Sequence, residues 1–412
     1  MKRIVLLMSL IILAAFAGES FATNGMRMIG FGPVQRSMGG TSVGVSLDAA
    51  SLLTNPAGMT DLGGRIDFGA SYFKPTVEYK AAEISGMGNA VVNNNGQTIK
   101  SDRGASPIPA FGLIIPVSDQ LSFGLGAYGV AGMGVDYAKN LYSNITYSSY
   151  SQMRFAPGVA YKVNDMISLG AVANLMYATM EFNAGNPPTS GSYPQQAHMG
   201  ASAFGYGGTV GVKVKPVKAA VIGLAYETKS KFQDFTFNTV NGTDKIRFDQ
   251  PSSATAGLGL MPIDGLTLAF DVQWIRWTET NGKDKPEYTT NNSGALPWNL
   301  NWKNQIVYKI GIQYEVTKMF VLRAGYNYGK MPLDKDRAFE NIAFPAISEQ
   351  HYTAGFGINF SEKFSLNVGG MYSPEAKLTG DNSGFPPAGQ GIASYETKMS
   401  QYSLDMGIAY KF

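Results

Sequence analysis

The chemistry open to this 412-residue chain is limited by its side chains: two histidines, no cysteine, 33 Lys and Arg against 30 Asp and Glu. His198 lies in a loop-like stretch and His351 at the start of a strand-like one, so a Ser-His dyad has its residue types but no motif that presents them. Gly124-x-Gly-x-x-Gly129 spells a dinucleotide fingerprint by letter. It sits inside an alternating apolar stretch with no helix after it, so the phosphate-cradling context fails. Without cysteine there are no thiolate sites or disulfides, and the clusters that metals require are missing. The residues point away from an enzyme and from any cofactor. What remains are cations on predicted inward faces, Lys303 and Arg323, which can pair with Asp271 or Asp405.

The elements that would carry those residues are strands. From Ser400 to Phe412, Tyr402, Leu404, Met406, Ile408, Tyr410 and Phe412 share one face, and Gln401, Ser403, Asp405, Gly407, Ala409 and Lys411 the other. A period of two with one apolar face and one small or polar face is a lipid-facing strand. The pattern recurs at Leu266 to Trp274, Tyr308 to Tyr314 and Phe320 to Tyr328. Two kinds of connection alternate between such segments. Short ones lie at 117–120, 163–166, 215–218, 262–265, 315–318 and 361–363, rich in the Pro, Asn, Asp and Gly of tight turns. Long ones lie near 80–103, 137–148, 183–201, 237–249, 280–300, 330–348 and 378–398. Six short turns and seven long loops, so placed, require 14 strands with both ends on the short-turn side.

Composition agrees. Charged residues are 15% of the chain, against about 25% in soluble proteins. Past the N-terminus no apolar run reaches the ~20 residues of a membrane-spanning helix. Net charge is +3 with no basic stripe, which excludes a nucleic-acid footprint. At the N-terminus, Lys2 and Arg3 precede a run of ~15 apolar residues, and Ser20-Phe21-Ala22 is a small-x-small cleavage site. Residues 1–22 are therefore expected to be a signal peptide, with 23–63 and 64–412 as the two parts of the mature chain.

The first part does not read as a strand. Gly30 to Met59 is a Gly-rich, irregular stretch with a short helical middle. Asp48 is placed to favour the start of that helix, and Asn55-Pro56 to end it. A small coil attached to a closed sheet is what a plug inside a barrel would look like. Polar inner strand faces satisfy an irregular backbone that hydrocarbon could not. Arg36 and Asp48 would tie such a plug to the wall, or else be solvated there.

The residues resemble the FadL-type outer-membrane transporters of long-chain fatty acids, with their toluene and xylene uptake relatives. The resemblance rests on Gly39-Gly40, Asp48-Ala49, Asn55-Pro56-Ala57-Gly58-Met59, Tyr226 to Phe235, Asp271 to Trp277, Trp302-Lys303-Asn304, Leu322 to Tyr326 and the terminal Tyr410-Lys411-Phe412. It spans essentially the whole mature chain. It implies an all-β fold, a 14-stranded antiparallel transmembrane β-barrel with an N-terminal hatch (plug) inside the lumen. The hatch residues would be Arg36, Gly39, Gly40, Asp48, Asn55, Pro56 and Ala57. The resemblance also implies passive uptake of a hydrophobic small molecule, a fatty acid or an aromatic hydrocarbon. That molecule would leave sideways through a kink in the third strand. Here that strand is Leu121 to Tyr137, and Gly129, Ala131, Gly132 and Gly134 are the candidate gate. Lys303 matches a lysine near the family's pocket, so Lys303 and Arg323 are the candidate ligand-binding residues. The setting would be the outer membrane of a Gram-negative bacterium, a monomer among lipid and lipopolysaccharide. The 183–201 loop is shorter than in the fatty-acid members. A general diffusion porin and a surface-binding protein are the alternatives.

Overall fold

In the computed structural model of the protein, residues 24–84, 98–137, 145–184, 197–239, 242–284, 300–380 and 392–412 are described. The expected signal peptide and the central parts of several long loops lie outside them. Fourteen antiparallel strands form the wall: β1 (Arg65–Ile84), β2 (Ser106–Pro116), β3 (Leu121–Asp136), β4 (Ile145–Lys162), β5 (Ile167–Ala184), β6 (Ala197–Val217) and β7 (Ala220–Glu227). They continue as β8 (Ser253–Leu260), β9 (Leu266–Ile275), β10 (Gln305–Glu315), β11 (Phe320–Gly329), β12 (Gln350–Asn359), β13 (Phe364–Gly380) and β14 (Ile392–Lys411). Each pairs with the next, and β1 pairs with β14 from Arg65↔Lys411 to Ile84↔Ile392, which closes the barrel.

Alternation sets the wall's two faces. On β14, Tyr402, Leu404, Met406, Ile408 and Tyr410 are exposed to the outside while Gln401, Ser403 and Asp405 are buried toward the lumen. The same holds for Tyr308, Ile310, Ile312 and Tyr314 on β10. Five of the six short turns fall between strands as the sequence predicts. The sixth is displaced: β6 runs through Pro216 to Val217, and the reversal comes just before Ala220. The pairing of β6 with β7 slips between Val214 and Val217, and such a bulge absorbs a proline that cannot donate to the ladder.

Residues 24–63 lie against the inner faces of the wall. Two short helices, α1 (Gly32–Ser37) and α2 (Ser51–Thr54), and a 3₁₀ turn (Pro56–Asp61) are joined by coil. Asn55 ends α2 in an extended conformation, and its side chain accepts from the Ala57 amide to open the 3₁₀ turn. Asp48 does not cap α2, as its position suggested. Ala50 occupies that place, and the Asp48 carboxylate instead accepts from Gln35 Nε2 at 3.3 Å.

Candidate functional site

Carboxylates and amides of the wall hold the N-terminal segment mostly by its backbone. The Asp271 carboxylate (β9) accepts the Ser42 and Val43 amides at 2.8 and 3.1 Å. Asp67 (β1) accepts the Ala49 amide at 2.7 Å. Thr353 Oγ1 accepts from the Gly39 amide, and Asn327 Nδ2 donates to the Gly39 carbonyl. Gly39 and Gly40 have φ of +68° and +81°, and a Cβ on Gly39 would lie 2.8 Å from the Ile310 and Tyr326 backbone of the wall. The backbone thus reaches the wall where no other residue fits. Asn55 Nδ2 donates to the carbonyls of Val43 and Val212. Pro56 and Ala57 press on Gly170 of β5, where a Cβ would meet the Ala57 nitrogen at 2.4 Å. Arg36 is the side-chain anchor: Nε lies 3.2 Å from Asp405 Oδ1 and Nη2 donates to Ser403 Oγ at 2.7 Å.

Asp48 is fully surrounded by protein. Burial, and then the nearby Asp67 carboxylate, push its carboxyl up to about 7, against the pull of Arg65, Arg323 and Gln35. A raised folded-state value means the docked segment holds this proton more tightly than the free one. Docking is therefore strongest at low pH and weakens as pH rises through about 7. Hydrogen exchange at the Ala49 and Ser51 amides, corrected for intrinsic rates, should speed up on the order of tenfold or more between pH 5 and pH 8. Asp48→Asn should remove that dependence, and an unchanged pH profile in the variant would refute the assignment.

Toward the long-loop end, the lumen is filled by rings and thioethers. Tyr79 and Tyr137 meet edge-on at 4.8 Å, Tyr150 and Phe248 at 5.0 Å, and Trp277 and Trp302 at 4.9 Å. Phe182, Phe235, Phe344 and Met176 belong to the same buried cluster. Strands supply Tyr79, Tyr150 and Met176; loops supply Phe248, Trp302 and Phe344. Met26 of the N-terminal segment and Met133 and Val135 of β3 form part of this cluster as well.

The wall beside that cluster is interrupted. β3 pairs with β2 only up to Ala110↔Tyr128, whereas it pairs with β4 along its length, with a register shift between Gly129 and Ala131. Beyond Tyr128, the side of β3 that faced β2 turns to the N-terminal segment. The Met28 amide donates to the Val130 carbonyl and the Gly132 amide to the Met26 carbonyl, both at 3.1 Å. Every residue from Tyr128 to Val135 except Gly129, Ala131, Gly132 and Gly134 has a side chain larger than methyl, yet the whole stretch is buried and the alternation is lost. Gly134 has φ of +153°, and a Cβ there would sit 2.2 Å from the Ser148 oxygen. The four small residues picked out from the sequence thus occupy one bulged stretch.

Just below, a buried ion triad crosses the lumen. Glu227, the last residue of β7, bonds Arg27 of the N-terminal segment with one carboxylate oxygen and Arg154 of β4 with the other. A cavity of about 40 Å³ with a mixed lining adjoins it, Arg27, Glu227, Gln273 and Lys309 facing Met28, Phe31 and Ile275, enough for a few waters. Lys309 Nζ reaches the Ile29 and Gly40 carbonyls at 3.4 and 3.5 Å.

Lys303 and Arg323 do not come together. Lys303 precedes β10 and lies on no inward face: Asn301 turns the chain with φ of +52°, and Trp302 takes the buried position. The Lys303 side chain is 67% exposed and pairs with Asp334 at 2.6 Å. Arg323 is half-buried near the short-turn end, donating to Gln313 at 2.7 Å and Asn367 at 2.9 Å. Neither pairs with Asp271 or Asp405, which hold the N-terminal segment instead. Asp271 and Asp405 were legible as carboxylates on strand faces, whereas nothing in the sequence marks Asp67. Glu227 falls within the Tyr226 to Phe235 stretch that carries the resemblance, but nothing local marks it or Arg27 as partners.

Comparisons with known proteins agree with this architecture. The sequence model of the family described as Outer membrane protein transport protein (OMPP1/FadL/TodX) matches residues 13–412. Outer membrane protein P1 of Haemophilus influenzae is 21% identical over 380 residues, covering 80% of this chain and 81% of its own. The crystal structure of a Pseudomonas aeruginosa FadL homologue superposes with a TM-score of 0.76 at 17% identity, covering 94% of this chain and all of that one. The toluene transporter TodX of P. putida gives 0.73 at 19% identity, covering 93% and 99%. With the profile match spanning the barrel and its N-terminal segment alike, the chain belongs to the OMPP1/FadL/TodX family, a multi-pass β-barrel of the Gram-negative outer membrane that transports hydrophobic compounds and is not an enzyme.

Proposed function

We propose that an apolar molecule enters from the long-loop side, lodges among the buried rings, and leaves sideways between β2 and β3 when residues 24–63 act as a hatch and withdraw from β3. The observation that carries this reading is the handover at Tyr128. From there on, β3 has no β2 partner, and Met26 and Met28 supply the hydrogen bonds that a neighbouring strand would. Moving the N-terminus would free a stretch of wall that no other strand seals. A hydrocarbon released there passes into the bilayer, which avoids the cost of exposing it to periplasmic water, ~25 cal/mol per Å².

An uncharged compound such as an aromatic hydrocarbon fits the ring-lined space, since Lys303 lies outside it and Arg323 at the other end. A fatty acid is favoured by a separate observation: the guanidinium groups of Arg27 and Arg154 converge on Glu227 close to Met26 of the ring cluster, a place where cations could hold a carboxylate head group. Uptake of labelled toluene and labelled oleate by cells lacking the protein, rescued by the wild type or by Gly134→Val, separates these readings. Rescue of one ligand but not the other identifies the class, and Gly134→Val, checked for insertion, should lose most of that rescue. Full rescue by the variant would argue against exit at β3, and ionic conductance without uptake of either ligand would return the porin reading.

A further inference from the structure

At the short-turn end, outside the lumen, the turns after β10 and β12 and the end of β14 enclose a groove of about 520 Å³. That is within the usual range for a small-molecule site. Its rim carries Lys318, Lys363 and Lys411 with one acid, Glu362, and its floor is Met319, Phe360 and Phe364. The turns are fixed to one another. Asn359 Nδ2 donates to the Lys318 carbonyl at 3.0 Å, and the Lys411 amide to the Lys363 carbonyl at 2.7 Å.

Two features set this groove apart. Among the described residues, no carboxylate pairs with Lys318, Lys363 or Lys411, which lie together, whereas at the same end Lys162 pairs with Asp165, Lys213 and Lys215 pair with Asp61, and Lys218 stands without such a pair on a separate turn. The apolar floor is also open. Met319 and Phe360 are each 60% exposed, and Phe360 stacks with Phe364 at 5.7 Å. The floor continues into the lipid-facing side of the wall, where Leu322 of β11 is exposed. Three unmatched cations over an apolar floor at the membrane's edge complement one kind of molecule, with an anionic head at the interface and acyl chains along the wall.

We propose that this groove is a binding site for an anionic phospholipid of the inward leaflet, its phosphate held by Lys318, Lys363 and Lys411 and its first chain segments lying on Met319, Phe360 and Phe364. The lysines supply charge-assisted hydrogen bonds to the phosphate oxygens, and each basic residue at a membrane surface is worth about fivefold in affinity for an anionic lipid. A bound lipid would also cover the seam between β11, β12 and β13 at the level of their turns.

Native mass spectrometry of the detergent-purified protein titrated with dioleoyl phosphatidylglycerol tests the proposal. One lipid per barrel should bind more tightly than the rest, and more tightly than dioleoyl phosphatidylcholine. Lys318→Gln/Lys363→Gln/Lys411→Gln should weaken that first binding on the order of a hundredfold, and Met319→Ser/Phe360→Ser should weaken it through the chains alone. Lys162→Gln, at the same end but outside the groove, should leave it unchanged. Heat-modifiable mobility on gels verifies that each variant is a folded barrel. Equal affinity for the zwitterionic lipid, unaltered binding by the triple variant, or competition by inorganic phosphate at the same concentration as lipid would overturn it, the last by making the groove a free-anion site.

Discussion

Oxidising an Arg27→Cys/Ala131→Cys variant should abolish uptake, and reducing it should bring uptake back. Arg27 and Ala131 are bridge partners, flanked by the Met28–Val130 and Met26–Gly132 hydrogen bonds. That makes them a non-hydrogen-bonded antiparallel pair, with Cα atoms about 4.5 Å apart, within the span a disulfide allows. The chain has no cysteine of its own, so the cross-link would be unique. A disulfide adds about 2–4 kcal/mol to the joined state, which shifts docking by on the order of thirtyfold or more. Because the oxidised and reduced proteins share one sequence, the loss of Arg27 is common to both arms. Equal uptake in both, with the cross-link verified by gel mobility, would mean that residues 26–28 need not leave β3.

Removing Glu227 should have the largest effect on the docked segment itself. Glu227→Ala removes the carboxylate that the buried Arg27 and Arg154 share. Breaking a buried pair this way costs about 3–5 kcal/mol, and the adjoining water-sized cavity places this site at the lower end of that range. Hydrogen exchange over residues 24–30 should accelerate on the order of a hundredfold, while the wall strands away from the triad keep their protection. Arg154→Met in the same chain should restore part of the loss by removing one of the two guanidinium charges. If exchange at 24–30 stays at the wild-type rate in Glu227→Ala, the triad does not hold the N-terminus.

Much of the wall was legible because a barrel strand has a period of two and only one face meets lipid. Tyr402 to Phe412 shows this unaided, and so do Tyr308 to Tyr314. Strand ends were less legible where the backbone departs from that period. Pro216 was read as part of a turn, yet it sits within a bulged strand. Between the 215–218 turn and the loop near 237–249 one strand was expected, but β7 stops at Glu227 and the chain goes on to a separate pair of short strands, Phe235–Thr239 with Gly242–Ile246. Lys303 was misplaced because alternation was carried one turn too far, past Asn301. The site was less legible still. Asp271 and Asp67 bind amides, which every residue has, so no partner side chain marks them in the sequence. Arg27, Arg154 and Glu227 are separated by at least 73 residues, and nothing local signals their meeting.

The pairing of Arg36 with Asp405 and Ser403 has a bearing on assembly. The partners are separated by 367 residues along the chain, and Asp405 belongs to the strand that closes the cylinder against β1. The earliest part of the chain in the lumen is thus fastened by the last part to be made. Until β14 is in place, Arg36 lacks the carboxylate that it pairs with among the described residues. Contacts of such sequence separation form late in folding, so seating of the N-terminal segment follows closure of the wall and reports on it. A barrel that fails to close lacks this side-chain anchor even where Asp67, Asp271 and Thr353 still hold the neighbouring backbone, so the stretch around Arg36 should be the part most open to proteases.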